Sequence, residues 1–164
     1  MSLASAKAFL AANAPDIEII ESDEATPTVV LAAQVHGVEP GQIAKTLTLR
    51  VQDRIVLVVA SGDVRLDNRK MRQFFGCKVR MADAQTVVQA TGHPVGGICP
   101  FGLATPLTIY CDRSLQAYDI VMPAAGSINS SVRIAPDRLV ELVGAEWADL
   151  SQTLAAAEPL SADG

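Results

Sequence analysis

The chain has 164 residues, 49% of them hydrophobic and 19% charged, with a formal net charge of −5. That size and balance suit one globular domain with a real core, and its longest uninterrupted apolar run, Ile55 to Ala60, is far too short for a membrane helix. Cys77, Cys99 and Cys111 form no CxxC pair, and with His36 and His93 the only histidines, neither a disulfide framework nor a zinc site is expected.

Residues 2 to 13 read as an amphipathic helix; lacking a basic n-region, with Lys7 among its apolar residues, the segment is no signal peptide, which points to the cytoplasm. "IEIIE" (17 to 21) is a short strand. Thr26 as N-cap and Pro27 at the first helical position predict a helix that Gly37 stops. After the "VEPGQ" turn come two β-rich runs, 43 to 51 and 54 to 60, joined by "QD" as a hairpin. Asp67 caps a helix over 68 to 75 that ends at Gly76, and "CKVRM" (77 to 81) is a strand. Asp83 caps a further helix that ends before Gly92. Strands are predicted at 107 to 112, 118 to 122 and 131 to 135; Pro136 opens a last helix closed by Gly144, and "WADL" is a final short strand. Residues 1 to 153 form the domain, and 154 to 164 read as a frayed tail. The order is mixed, without a Rossmann or P-loop fingerprint. It predicts an α+β domain with a curved, mostly antiparallel mixed sheet.

Charge is uneven. Residues 45 to 80 hold nine Lys or Arg against three acids, a net +6, which leaves −11 on the remainder. Such a region can hold a polyanion, and it is equally what solvated strand and helix faces look like. Lys45 is more specific. It interrupts the apolar strand "IAKTLTL" on the face it shares with Ile43, Leu47 and Leu49, where an ammonium is costly unless it reaches water or an anion. The run "HPVGGICPFG" (93 to 102) can be neither a helix interior nor a central strand, and Gly96 and Gly97 let another molecule approach the main chain closely. A Cys99–His93 nucleophile pair is one reading of the same loop, a core cysteine beside a satisfied loop histidine the other.

In order along the chain stand a "KTL" strand after a "GV-x-P" turn, a "MAD" element, "TG-x-x-VGGI-x-P-x-G" and "IAP-x-x-L". Together these motifs, over roughly residues 25 to 145, resemble the YbaK/EbsC family, free-standing aminoacyl-tRNA deacylases related to the editing domain of bacterial prolyl-tRNA synthetases. The resemblance implies a barrel-like α+β fold and a hydrolase that clears mischarged tRNA, tRNA(Pro) foremost, with no cofactor or metal. It further implies transient contact with prolyl-tRNA synthetase. It places Lys45 and the glycine loop, Gly96 and Gly97, at the chemical centre, with Thr46, Ile98, Cys99 and Pro100 around the substrate. His93 stands where the family has the tyrosine of "TGY", and Ala124 where it has the serine of "SGG-x-RG". Ile19 and Thr28 replace family aromatics. His93 and Asn129, at or near such departures, are expected to shape the acyl pocket. A binding module without turnover and a cysteine hydrolase using Cys99 are the competing readings.

Overall fold

The computed structural model describes residues 2 to 26 and 28 to 152. The tail expected to fray, and Pro27 with its predicted helix-start role, lie outside these residues. Among the described residues there are five α-helices: α1 (Ser2–Asn13), α2 (Val29–His36), α3 (Asn68–Phe75), α4 (Ala84–Thr91) and α5 (Pro136–Val143). The strands are β1 (Ile20–Glu21), β2 (Ile43–Val51), β3 (Arg54–Ser61), β4 (Val79–Met81), β5 (Thr108–Asp112), β6 (Met122–Pro123), β7 (Ser130–Ser131) and β8 (Glu146–Ala148). Six of them form one mixed sheet in the order β4-β2-β3-β5-β8, with β6 joined to β2, while β1 and β7 pair separately.

The hairpin of β2 and β3 is antiparallel, as is β2 with β4; β2–β6, β3–β5 and β5–β8 are parallel. The sheet is thus mixed as expected, with more parallel pairing than the sequence implied, because β6, β5 and β8 each return after a crossover. Strand β3 explains the longest apolar run. It lies between β2 and β5, and Val56, Leu57, Val58, Val59 and Ala60 are all fully buried, as a strand covered on both faces requires.

Period-two alternation divides the core. Ala44, Leu57, Val59, Ile109 and Cys111 meet Ala6 and Leu10 of α1, Leu139 of α5, and Cys99 and Phe101 of the glycine loop. Leu49, Val51, Val56, Val58 and Tyr110 meet Met71 of α3 and Leu150. A smaller cluster joins Ile43 and Met122 to Ala32 and Ala33 of α2. No helix among the described residues is long and apolar enough to cross a membrane.

Local signals placed most boundaries. Asp67 accepts from the Lys70 N–H and Asp83 from the Thr86 N–H, so both caps act where the sequence put them. The start of α2 differs. Thr28, not Thr26, caps it, its hydroxyl accepting from the Leu31 N–H, while the Thr26 hydroxyl donates to the Ile128 carbonyl at 2.9 Å. A capping threonine competes with a strand-like contact across the chain, and the long-range contact takes Thr26.

Candidate functional site

One edge of β2 pairs with β3 from Ala44 to Val51. The other pairs with β6 at Ile43 and Ala44 and with β4 from Leu49 to Val51. Between these two partners, residues 45 to 47 face no strand on that edge. A cavity of about 170 Å³ opens there, lined by Ile43 to Thr46 from β2 and by Gly96 and Ile98 from the glycine loop. Thr28, Val29 and Ala32 from the start of α2 form one wall, and Met122, Ala124, Ser130 and Ser131 form another.

The sheet gap and the glycine loop therefore meet at one place. Gly96 adopts φ +94°, a backbone state that favours glycine. Among the described residues neither the Gly96 nor the Ile98 N–H has an acceptor, whereas the Gly97 N–H between them donates to the Pro94 carbonyl at 2.9 Å. Two cavity-lining residues thus carry main-chain N–H groups without an acceptor among the described residues. The Thr46 hydroxyl is buried without a partner among the described residues, a costly state inside a protein unless a ligand or water answers it. The Ser131 hydroxyl is met by His36 Nε2 at 2.8 Å.

Lys45 is half-buried, and its ammonium donates to the carbonyls of Gly62, at 3.4 Å, and Val64. Burial pushes its pKa below the ordinary 10.5, with Asp63 working against that shift and Arg65 adding to it. The charge expected to reach water or an anion is thus held by two carbonyls of the segment after β3, and an ammonium has three donors.

The remaining sequence candidates divide by the alternation of the loop. Gly96 and Ile98 face the cavity; Gly97, Cys99 and Pro100 are buried away from it. Gly97 packs against the backbone of Ser127. His93, expected in the pocket wall, is fully buried in the core instead. Its Nε2 lies 2.7 Å from the Phe101 carbonyl and its Nδ1 2.6 Å from Ser2 Oγ. A carbonyl can only accept, so Nε2 carries the ring proton. The Cys99 thiol does lie beside that ring, with Sγ 3.5 Å from Nε2. The nitrogen facing it is already protonated, and burial pushes the thiol up to about 12, the reverse of what a nucleophile needs. Asn129 ties the main chain together, donating to the Ser22 carbonyl at 3.0 Å and accepting from Ser127 Oγ at 2.9 Å. Among the described residues no three His, Cys, Asp or Glu side chains gather as a metal-holding group.

The placement of His93 has a measurable consequence. Burial holds its ring below the ordinary 6.5, so the unfolded chain binds the proton more readily. Its contribution to stability is then present above pH 6.5 and fades as the pH falls below it. His93→Gln is expected to cost about 1–3 kcal/mol at pH 7.5. The gap to the wild type should narrow at pH 5.5 in urea titrations, with the ranking of substrates unchanged. A re-ordered substrate ranking at wild-type stability would return His93 to the pocket.

Sequence reasoning missed Val29, Ala32, Met122, Ser130 and Ser131. It marked Thr28 and Ala124 as departures that flank the pocket, and both line it; Ile19 instead packs against the main core. In "GSINSS" the amide drew attention, yet the two serines after it form the wall. Pairing with β1, Ile20 opposite Ser131, was the signal, and it is long-range.

A family model for the aminoacyl-tRNA editing domain matches residues 23–142. The chain belongs to that family. Among relatives of this editing-domain protein, YwhH of Bacillus subtilis (strain 168), itself uncharacterised, is 40% identical over 152 residues, 92% of this chain and 97% of that one. A proline--tRNA ligase of Citrifermentans bemidjiense is 31% identical over 98 residues, 59% of this chain but 17% of the ligase. The editing domain also superposes on a crystal structure described as a candidate trans-editing enzyme for prolyl tRNA synthetase, with TM-score 0.86, 33% identity, and 93% and 98% of the two chains covered. A second crystal structure, of hypothetical protein APE2540, gives TM-score 0.84 at 33% identity over 90% and 99% of the chains. The editing match spans the whole cavity wall from Thr26 to Ser131.

Proposed function

We propose that the protein is a trans-editing hydrolase that removes a wrong amino acid from tRNA, with tRNA(Pro) as its tRNA, by cleaving the ester at the 3′-terminal adenosine. The observation that carries this reading is the meeting at one small cavity of Lys45 with Gly96 and Ile98, whose N–H groups have no acceptor among the described residues. Water adds to the ester carbonyl, the two N–H groups stabilise the oxyanion that forms, and the bond to the ribose oxygen breaks. The products are a free amino acid and a tRNA with its terminal hydroxyl restored. Among the described residues no histidine, cysteine or carboxylate lines the cavity, so the proton transfers fall to water and to the adjacent ribose hydroxyl. An activated ester held in place needs little more than orientation and charge stabilisation.

The cavity acts as a sieve on the acyl group. About 170 Å³ bounded by Ala32, Ala124, Ser130 and Ser131 suits small side chains, the class a synthetase rejects poorly by binding alone. A transient encounter with prolyl-tRNA synthetase in the cytoplasm would deliver the charged tRNA. The same absence of a side-chain base also favours a second reading, a module that binds the aminoacyl end without turnover.

A deacylation panel decides between them. With alanyl-, cysteinyl-, seryl- and threonyl-tRNA(Pro), the small acyl groups are expected to be released over many turnovers per protein molecule, while prolyl-tRNA(Pro) persists. Binding of the same substrates with no turnover would establish the module instead. Release of prolyl-tRNA(Pro) at an equal rate would remove the editing role.

A further inference from the structure

Beyond Lys45 the same face of β2 runs on into a second depression. Leu47, two residues along the strand and so about 7 Å away, opens a groove of about 300 Å³ lined by Leu49, Leu66 and Met81 and by the guanidinium-bearing Arg65 and Arg80. The groove begins two residues along β2 from Lys45, and Arg65 on its edge follows Val64, whose carbonyl receives the Lys45 ammonium. The floor is aliphatic, and Met81, on the sheet's outermost strand, is 61% exposed. Arg72 and Lys78 line a smaller recess that shares Met71 and Val79 with it. Among the described residues none of these four cations forms a salt bridge.

We propose that this groove is a nucleotide subsite, which takes the unpaired bases immediately 5′ of the terminal aminoacyl-adenosine; it rests on the deacylase reading for the identity of the RNA. An apolar floor with arginines at its rim offers unstacked bases a surface while their phosphates meet the cations. A second copy of the chain fits badly, since it would set this cluster of positive charge against its own like. An apolar peptide would leave the cations unused. The direction also agrees. The acyl group enters the cavity beside Ile43, the terminal nucleoside lies at Lys45, and the preceding bases continue along β2 over Leu47 and Leu49. Lys70, in the same basic segment, is held elsewhere, by Asp149 at 3.0 Å and the Ser151 carbonyl at 2.7 Å, so the RNA path is traced by Arg65 and Arg80 rather than by the whole of α3.

The probe is the unacylated trinucleotide CpCpA, measured by direct binding against adenosine alone, with wild type and the exposed double variant Arg80→Gln, Met81→Ser. The wild type is expected to bind CpCpA more tightly than adenosine, and the variant to lose about tenfold of that affinity with its melting curve and its adenosine affinity unchanged. In parallel, the advantage in KM of an aminoacyl-CpCpA ester over the aminoacyl-adenosine ester should collapse in the variant with kcat retained. Equal binding of CpCpA by the two proteins, or equal loss on both ligands, overturns the groove as an RNA site. No preference for CpCpA in the wild type overturns it too. A wild type that binds CpCpA through Arg80 and Met81 but cleaves no ester would overturn the deacylase reading and leave the subsite standing.

Discussion

Lys45→Met is expected to lower kcat/KM for misacylated tRNA about a hundredfold or more, the loss typical of removing one charge-stabilising donor from a preorganised site. Methionine keeps the apolar stem along β2 and removes the ammonium that holds the Gly62 and Val64 carbonyls. Those two carbonyls lose a donor, a cost of about 1–3 kcal/mol each at most, so the melting temperature should fall by several degrees while the fold persists. Two roles are separable. If the third ammonium donor grips the phosphate of the terminal nucleotide, the loss should be large on an aminoacyl-CpCpA ester and small on aminoacyl-adenosine, which lacks that phosphate. If Lys45 works by fixing the loop after β3, both substrates should suffer alike. Turnover near wild type on both esters, with a normal melting curve, would remove Lys45 from the site altogether. Arginine is not a conservative control here, because its planar fork cannot reproduce a point charge between two carbonyls.

The legible parts of this molecule were those set by neighbours in sequence. Asp67 and Asp83 cap α3 and α4 because a carboxylate three residues before an unpaired N–H needs nothing distant. The β2–β3 hairpin follows from two β-rich runs and a two-residue turn, and its register runs from Ala44 opposite Ser61 to Val51 opposite Arg54. Lys45 and Gly96 stood out because each broke a local rule, a charge in an apolar strand and glycines in a structured loop. What was hidden depends on contacts far along the chain. Thr26 gave up its cap for Ile128, β7 took its place opposite β1, and the strands expected at 118 to 122 and 131 to 135 shrank to two-residue pairings because that segment wraps the cavity instead of extending the sheet. His93 was misplaced for the same reason. Its partners Ser2 and Phe101 lie 91 and 8 residues away, and no local pattern distinguishes a pocket histidine from one that bridges a helix start to a loop.

Gly97→Ala should damage the fold and the site together, whereas Gly96→Ala should act on the site with the smaller cost in stability. A methyl group at Gly97 would stand 2.8 Å from the backbone N and C of Ser127, far inside contact distance and against main chain that cannot rotate away. The two segments are also stitched there, since the Gly126 N–H donates to the Gly97 carbonyl at 3.1 Å. Separation must therefore push back the turn whose Ser127 hydroxyl reaches Ser130 at 2.6 Å, and with it the cavity wall of Ser130 and Ser131. Overpacking of this kind costs about 1–3 kcal/mol, a large share of the stability of a domain this size, and the melting temperature should fall by several degrees. At Gly96 the φ of +94° itself disfavours alanine, and relieving it shifts the backbone of a residue that lines the cavity. Deacylation should then fall through kcat more than KM, because the oxyanion forms only as water adds. A Gly97→Ala protein that melts and turns over like the wild type would show that the loop and the Ser127 turn are not held in register. A Gly96→Ala protein with unchanged kcat would take the main-chain donors out of the chemistry.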